Sequence, residues 1–334
     1  MSEYTQIKNK RVLVTGGAGF IGSNLCEDLL KLDNKVICLD NFSTGHKCNL
    51  DRFINNPNFT LIEGDIRNLE DCQKSCKDID IILHEAALGS VPRSIKDPVT
   101  TNEVNVGGFL NMLIAARDNK VKRFVYAASS STYGDSEKLP KVESEIGMPL
   151  SPYAVTKYVN ELYAHVFGLN YGMEVIGLRY FNVYGRKQSP NGAYAAVIPK
   201  FVDLFLNHKS PIINGDGSFS RDFTYIDNVI QMNHLAATTT NEEAIGEVFN
   251  TAVGDRTTLI ELTTLIKKHL SDFDPTISEI KIINGSERAG DIPHSLASID
   301  KAKILLGYEP TYNLSKGIEK TMHWYWNEYN KNIK

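Results

Sequence analysis

A tyrosine and a lysine four residues apart, in Ser151-Pro-Tyr-Ala-Val-Thr-Lys157, are the first residues here able to do chemistry. Positions i and i+4 share one face of a helix. A free phenol loses its proton near pH ~10, so Tyr153 can act as a base at neutrality only where a nearby cation favours the phenolate. Lys157 can be that cation. Such a pair arises often by chance in helices, so its weight depends on its surroundings. Upstream, Ala127-Ala-Ser-Ser-Ser-Thr-Tyr-Gly134 offers the hydroxyls of Ser129, Ser130 and Ser131 at the end of a strand-like run, where open parallel sheets bind ligands. One of them can share a hydrogen bond with Tyr153 and a substrate oxygen; turn chemistry accounts for the others.

A second constellation lies near the N-terminus. Val12-Leu-Val-Thr-Gly-Gly-Ala-Gly-Phe-Ile-Gly22 sets Gly16, Gly19 and Gly22 directly after a strand pattern and at the mouth of a helix running to about Leu32. Glycines let the backbone approach a pyrophosphate, and free N–H groups at the helix start supply donors and the positive dipole end. A further strand ends in Asp40, at the distance where an acid accepts the adenosine ribose hydroxyls. A carboxylate there repels a 2′-phosphate, so the expected cofactor is NAD rather than NADP. Asp65-Ile66, ending a third strand, can hold the adenine, or Asp65 can simply close a turn.

The elements that must position these residues are runs of branched residues at Arg11–Thr15, Lys35–Asp40, Phe59–Glu63, 79–84 and 123–128, alternating with longer helical patterns. That alternation means βαβ units and a parallel sheet. The runs lack a polar face, as expected when helices cover both sides. Two longer helices open at Asp97-Pro98 and Ser151-Pro152, each with a capping side chain followed by proline. In the second, Val155, Val159, Leu162, Val166 and Leu169 recur at helical spacing. This broad stripe is expected to cover the sheet on one side and a partner helix on the other. After Tyr184-Gly185 shorter elements separated by glycine and proline turns suggest a second lobe. The expected fold is α/β, a Rossmann-type doubly wound parallel sheet with a smaller C-terminal lobe. Residues 1–187 with about 221–257 would hold the dinucleotide, and 188–220 with about 258–334 the substrate.

With 334 residues the chain can bury a large core. Its net charge of -4 gives no reason to expect nucleic acid or an acidic membrane surface as partner. No run of about 18 apolar residues appears and the start lacks a signal-peptide pattern, so the expected location is the cytoplasm. Five cysteines, Cys26, Cys38, Cys48, Cys72 and Cys76, stand at no ligand spacing; scattered reduced thiols and no metal are expected.

Together these residues resemble the extended short-chain dehydrogenase/reductase family over nearly the whole chain. The family's glycine loop matches Gly16, Gly19 and Gly22, its Tyr-x-x-x-Lys matches Tyr153 and Lys157, and Tyr180-Phe-Asn182 extends the match. Within the family the chain is most similar to the 4-epimerases of UDP-N-acetylglucosamine. Ala87-Leu-Gly-Ser-Val-Pro-Arg93, Asn191-Gly-Ala-Tyr-Ala-Ala-Val-Ile-Pro199 and Arg288-Ala-Gly-Asp-Ile-Pro-His-Ser295 carry that likeness. The resemblance implies a cofactor site of Gly16, Gly19, Phe20, Ile21, Gly22, Asp40, Asn41, Ser43, Thr44, Gly45, Asp65, Ile66, Ala86, Ala87, Asn105, Tyr180 and Val183, with Tyr153 and Lys157. It implies a substrate site of Gly89, Ser90, Arg93, Asn182, Ala196, Val197, Lys200, Asn214, Arg221, Arg288, Asp291 and Ser295, with Tyr153 and the serine cluster. Counted back from Tyr133-Gly134, the family's catalytic hydroxyl falls on Ser129, and Ser130 and Ser131 face the sugar. Arg221 and Arg288 would fork onto phosphate oxygens and Asp291 accept uridine hydroxyls.

The implied chemistry moves hydride from sugar C4 to NAD and back to the other face, with Tyr153 taking the 4-hydroxyl proton. The implied substrate is a UDP-linked N-acetylhexosamine or its uronate, used in polysaccharide biosynthesis, and the implied assembly a homodimer. Galactose-type epimerases carry a bulky tyrosine four residues past the position of Asp291; here stands Ser295, leaving room for an N-acetyl group. The nearest rival substrate is the uronate UDP-N-acetylglucosaminuronate, with its carboxylate near the serines or Arg93. A 4,6-dehydratase needs an Asp-Glu pair where Ser130-Ser131 stand. A non-catalytic NAD-sensing module would not require the intact Tyr/Lys pair.

Overall fold

The computed structural model describes residues 4–190, 196–286 and 293–333. Six strands fall within the first 180 residues: β1 (Arg11–Thr15), β2 (Lys35–Asp40), β3 (Phe59–Glu63), β4 (Ile81–His84), β5 (Arg123–Ser129) and β6 (Glu174–Tyr180). Short pieces follow, β7 (Val183–Tyr184), β8 (Ile212–Asn214), β9 (Ser220–Arg221), β10 (Thr224–Tyr225), β11 (Val248–Thr251), β12 (Thr257–Thr258) and β13 (Ile283–Gly285). The central sheet has seven strands in the order β11-β6-β5-β4-β1-β2-β3, every pair parallel. β5 is buried along its whole length and β2 at all positions but Lys35, as a sheet covered on both faces requires.

The helices are α1 (Phe20–Leu30), α2 (Leu69–Ser75), α3 (Val91–Lys96), α4 (Pro98–Asn102), α5 (Phe109–Asp118), α6 (Pro152–Tyr171), α7 (Val197–Leu206), α8 (Ile226–Thr238), α9 (Leu259–Ser271), α10 (Asp300–Leu306) and α11 (Leu314–Ile333). Two apolar clusters fill the faces of the sheet. One gathers Val12, Val14, Leu25, Val125, Ile176 and Phe249 with residues of α7, α8, α9 and α11; the other gathers Leu13, Ile82, Phe109, Met112 and Phe124. Because successive side chains of a strand alternate, Leu13 and Val14 serve opposite clusters.

The helix expected from Asp97-Pro98 is not continuous. Asp97 caps it, its side chain accepting from Thr100 N at 3.1 Å, but a π-type stretch, Glu103–Gly108, separates α4 from α5. A π-turn widens the helix locally and is frequent at functional sites. Here it presents Asn105 and Gly108 inward; a Cβ on Gly108 would stand 2.6 Å from Ile66.

The helix from Ser151-Pro152 forms as expected over twenty residues, capped by Ser151 onto Ala154 N and closed by Gly172 at φ +63°. The apolar stripe, however, does not cover the sheet. Val155 (47 % exposed), Leu162 (49 %), Val166 (45 %) and Leu169 (72 %) point outward. The face against the sheet is Ala154, Thr156, Lys157, Asn160, Glu161, Ala164 and Phe167. The physical reason is that this face meets a charged strand end. Arg179 on β6 donates to both oxygens of Glu161 at 2.9 and 2.7 Å, both side chains being buried. Small and polar residues are needed there, and the hydrophobic ones are displaced to the opposite side.

Removing one member of a buried ion pair leaves the other uncompensated, which costs about 3–5 kcal/mol. Glu161→Gln should therefore lower stability by roughly that amount in urea unfolding; a loss below about 1 kcal/mol would place this pair with surface bridges instead.

Candidate active site

The glycine loop is shaped by backbone crowding rather than by side chains. Gly16 has φ +67°, and a Cβ there would lie 2.8 Å from the Ala86 backbone. A Cβ on Gly22 would meet the Gly16 carbonyl at 2.2 Å. Gly19 is the N-cap of α1 and brings no side chain to its first N–H groups, which stay available to an anion. Asp40, 7 % exposed at the end of β2, accepts from Ala18 N at 2.8 Å and Phe42 N at 2.7 Å. Burial raises its pKa, opposed by those two N–H groups. Each carboxylate oxygen has lone pairs beyond those two bonds, so the ribose role remains open to it.

A cleft of about 670 Å³ runs along the C-terminal ends of the strands, from Asp40 and Asp65 past the glycine loop to Tyr153 and Lys157. Its lining includes Phe20, Ile21, Asn41, Ser43, Thr44, Ile66, Ala86, Ala87, Gly89, Ser90, Arg93, Ser129, Ser130, Tyr180, Asn182, Val183 and Ala196. A continuous groove over bare helix N–H groups, with a carboxylate at one end, fits a dinucleotide.

At the other end, α6 and β5 assemble the proton-handling residues. Lys157 is buried, and its ammonium donates to the Ala127 carbonyl at 2.7 Å. Burial lowers its pKa to about 8, while the carboxylates of Glu85 and Glu161 pull the other way. Ser129 ends β5 and caps the following turn. Its hydroxyl accepts from Ser131 N at 3.2 Å and Ser131 Oγ at 2.9 Å. The Tyr153 phenol is raised by burial and lowered by its hydrogen bond with Ser129. Of the three serines, Ser129 is thus the one beside the phenol, Ser130 lines the cleft, and Ser131 supports Ser129.

Several residues expected at the site are engaged with other parts of the protein. Asn105 stays out of the lining: its side chain accepts from Leu88 N at 2.8 Å and donates to Leu88 O and Thr156 Oγ1 at 3.3 and 3.1 Å. It clamps the cleft wall at Leu88 to Thr156 of α6. Asp65 does line the cleft, but it closes a turn onto Arg67 N at 2.8 Å and binds the Arg67 guanidinium, which holds its carboxyl down at about 2. Gly45 packs against Ala18 and lies outside the lining. Asn182, at φ +35°, is pinned by its own amide on the Asp222 carbonyl at 2.9 Å and does face the cleft.

Further along the chain Val197 and Lys200 start α7, Asn214 ends β8, and Arg221 lies on β9, donating to Ser220 O and Pro293 O at 2.9 and 3.1 Å. Ser295 N donates to Ser220 O at 3.0 Å, which sets Ser295 beside the Arg221 strand. These five side chains stand outside the described lining. Arg288 and Asp291 lie outside the described residues.

The sequence reading missed Glu85, Gln188 and Ser189, all lining the cleft. Glu85 was findable, because the first residue past a parallel strand sits at the ligand edge of the sheet.

An alanine methyl forced against the Gly16 carbonyl brings overpacking strain on the order of 1–3 kcal/mol. Gly22→Ala should weaken NAD binding by about 10- to 100-fold in titration calorimetry, with the fold retained by circular dichroism. Undiminished affinity would show that the loop does not carry the pyrophosphate.

Comparison with known proteins agrees with this geometry. Residues 12–252 match the NAD dependent epimerase/dehydratase family. A relative from Methanocaldococcus jannaschii, described as a putative UDP-glucose 4-epimerase, is 36 % identical over 94 % of this chain and 97 % of its own. The solved UDP-N-acetylglucosamine 4-epimerase from Methanobrevibacter ruminantium M1, in complex with UDP-N-acetylmuramic acid, is 39 % identical, with a TM-score of 0.90 over 96 % of this chain and 100 % of that one. The UDP-glucuronic acid 4-epimerase from Bacillus cereus, in complex with UDP-glucuronic acid and NAD, is 32 % identical, with a TM-score of 0.85 over 96 % and 100 %. With its parallel sheet, bare glycine loop and Tyr/Lys pair in one cleft, the chain belongs to the NAD dependent epimerase/dehydratase family, as an NAD-using epimerase of nucleotide-linked sugars.

Proposed function

We propose that this enzyme interconverts UDP-N-acetylglucosamine and UDP-N-acetylgalactosamine through a 4-keto sugar. The observation that carries the proposal is that Tyr153, with its phenol hydrogen-bonded to Ser129, and Lys157, with its ammonium on the Ala127 carbonyl, line the same cleft at the end opposite Asp40. Bound NAD supplies the acceptor and donor of hydride at C4. The chain's own residues handle the proton and hold the sugar. Tyr153 takes the 4-hydroxyl proton and later returns it, and Ser129 relays its hydrogen bond to the same oxygen. In the protein alone burial keeps the phenol protonated, so it becomes a base only when positive charge gathers beside it. Lys157 supplies one such charge. Asn182 and Ala196, on the cleft wall, face the sugar side, and the lobe of α7, α9 and α11 carries the nucleotide half through Arg221, Arg288 and Asp291.

The N-acetyl preference rests on Ser295, small and set beside β9, and on the 39 % identity to a UDP-N-acetylglucosamine 4-epimerase. A second reading is favoured by one observation: Arg93 lines the same cleft as Ser130 and can meet a sugar carboxylate there, and UDP-glucuronic acid 4-epimerase is among the similar structures. The substrate would then be UDP-N-acetylglucosaminuronate. We also propose a homodimer through the outward stripe of α6 together with Ile95 (64 % exposed) and Val99 (66 %) on the adjoining α3 and α4. Apolar patches of this kind are rarely left to water.

Incubation with UDP-N-acetylglucosamine and, separately, its uronate, followed by NMR of the products, should give the C4 epimer of the neutral sugar; unchanged sugars in both tubes would overturn the epimerase proposal. Ser295→Tyr should lower kcat/KM for the N-acetyl sugar at least ~10-fold more than for UDP-glucose, about 1.4 kcal/mol of discrimination, whereas equal losses would remove Ser295 from the specificity argument. For the dimer, Leu162→Glu with Val166→Lys should convert the sedimenting species to a monomer. Retention of the wild-type mass would move the interface elsewhere.

A further inference from the structure

One carboxylate at the hydride-transfer end of the cleft has no place in the proton chemistry above. The sheet order sets β4 between β1, which carries the glycine loop, and β5, which carries Ser129. With the adenosine half on the β2 side at Asp40, the nicotinamide half of the dinucleotide must run past the ends of β4 and β5 toward Tyr153. Glu85 is the first residue beyond β4, its N–H donating to Thr15 O at 3.2 Å, and it lines that stretch of cleft.

Its carboxyl is held from behind. Tyr180 on β6 donates its hydroxyl to Glu85 Oε1 at 2.7 Å, and the buried Asn233 of α8 donates Nδ2 to the Tyr180 oxygen at 2.9 Å. The second oxygen, Oε2, has no hydrogen bond among the described residues. Lys157 of α6 is the cation that acts on it. Neighbouring His84 is buried and neutral, its pKa lowered to about 3. Glu85 and Lys157 thus flank the nicotinamide end with opposite charges.

We propose that Glu85 is a positioning residue that sets the redox balance of the bound cofactor, its carboxylate favouring the cationic oxidised nicotinamide over the neutral reduced ring. The ring carries a positive charge only when oxidised, so a fixed negative charge beside it stabilises that form. Lys157 acts in the opposite sense. An epimerase must give back the hydride it takes; a cofactor poised toward its oxidised form keeps the keto intermediate scarce and short-lived. The inference rests on the cofactor and not on which sugar turns over.

Burial raises the Glu85 pKa to about 7, opposed by Tyr180 and Lys157. Below that range the carboxyl is neutral and its influence fades; above it the influence is full. The test uses NAD-loaded enzyme without sugar, equilibrated against a redox dye, with bound dihydronicotinamide read by absorbance. At pH ~8, where the carboxyl is ionised, Glu85→Gln should raise the bound NADH to NAD ratio about tenfold at fixed potential, equal to about 30 mV for a two-electron couple. The gap from wild type should close as the pH falls below the carboxyl's range.

Tyr180→Phe provides the independent arm if Glu85→Gln does not fold or hold cofactor. Losing that hydrogen bond raises the carboxyl's pKa, so the pH at which the bound couple departs from the free one should move upward. An unchanged ratio in Glu85→Gln, or an unmoved midpoint in Tyr180→Phe, overturns the proposal. A failed substrate assignment would leave both readouts intact.

Discussion

One hydrogen bond holds the reactive end of this protein together: the buried Lys157 donates its ammonium to the Ala127 carbonyl at 2.7 Å. A buried cation is expensive unless paired, and each neighbour of Lys157 answers that expense. Ala127 gives it a carbonyl, while Glu85 and Glu161 give it opposite charge. Glu161 is itself fixed by Arg179, and Arg179 stacks over Tyr133 with 4.8 Å to the ring centroid. Through this chain of contacts α6 cannot slide or rotate on β5 and β6 without stranding a charge. Tyr153, one turn before Lys157, and Ser129, two residues beyond Ala127, are therefore brought together by the same constraint.

Charge is laid out along the cleft in a sequence that matches a dinucleotide. Acid stands at Asp40, bare helix N–H groups follow at Gly19, and the Glu85 carboxylate and Lys157 ammonium both line the far end and act on each other. The first pair of features suits hydroxyl and phosphate. The second, on the proposal made above, acts on a ring whose charge changes during the reaction. Between them the Leu88 wall is held by Asn105 from behind, so the π-type stretch in the middle of the α4 to α5 run serves the cleft indirectly.

Much of this was legible in the residues themselves. The first three strands fall where branched residues predict them, β4 starts two residues later than expected, and β5 runs one residue longer, ending on Ser129. The glycine loop and Asp40 were readable because their chemistry depends on backbone shape and local spacing. What could not be read depends on which neighbour arrives from far along the chain. The stripe of α6 looked core-facing, but the Arg179 partner on β6 turns the polar side of that helix inward. The hydrogen bonds of Asn105 could not be read either, because its partners Leu88 and Thr156 lie 17 and 51 residues away. Asp65 was left open between adenine and a turn, and Arg67 claims much of its carboxyl. Glu85 carried no motif of its own; only the sheet order shows that its neighbours are Tyr180 and Lys157.

The central claim is that the Tyr153 phenol becomes a base through positive charge gathered next to it. A difference-absorbance titration of phenolate tests this most directly, run on the protein with and without NAD and on Lys157→Met. Without cofactor Tyr153 should ionise above the ordinary range of ~10, as burial dictates. With NAD bound, one tyrosine should ionise several units lower, and Lys157→Met should undo most of that shift. A phenol that stays in the alkaline range with cofactor present, or one whose ionisation ignores Lys157, would contradict the account.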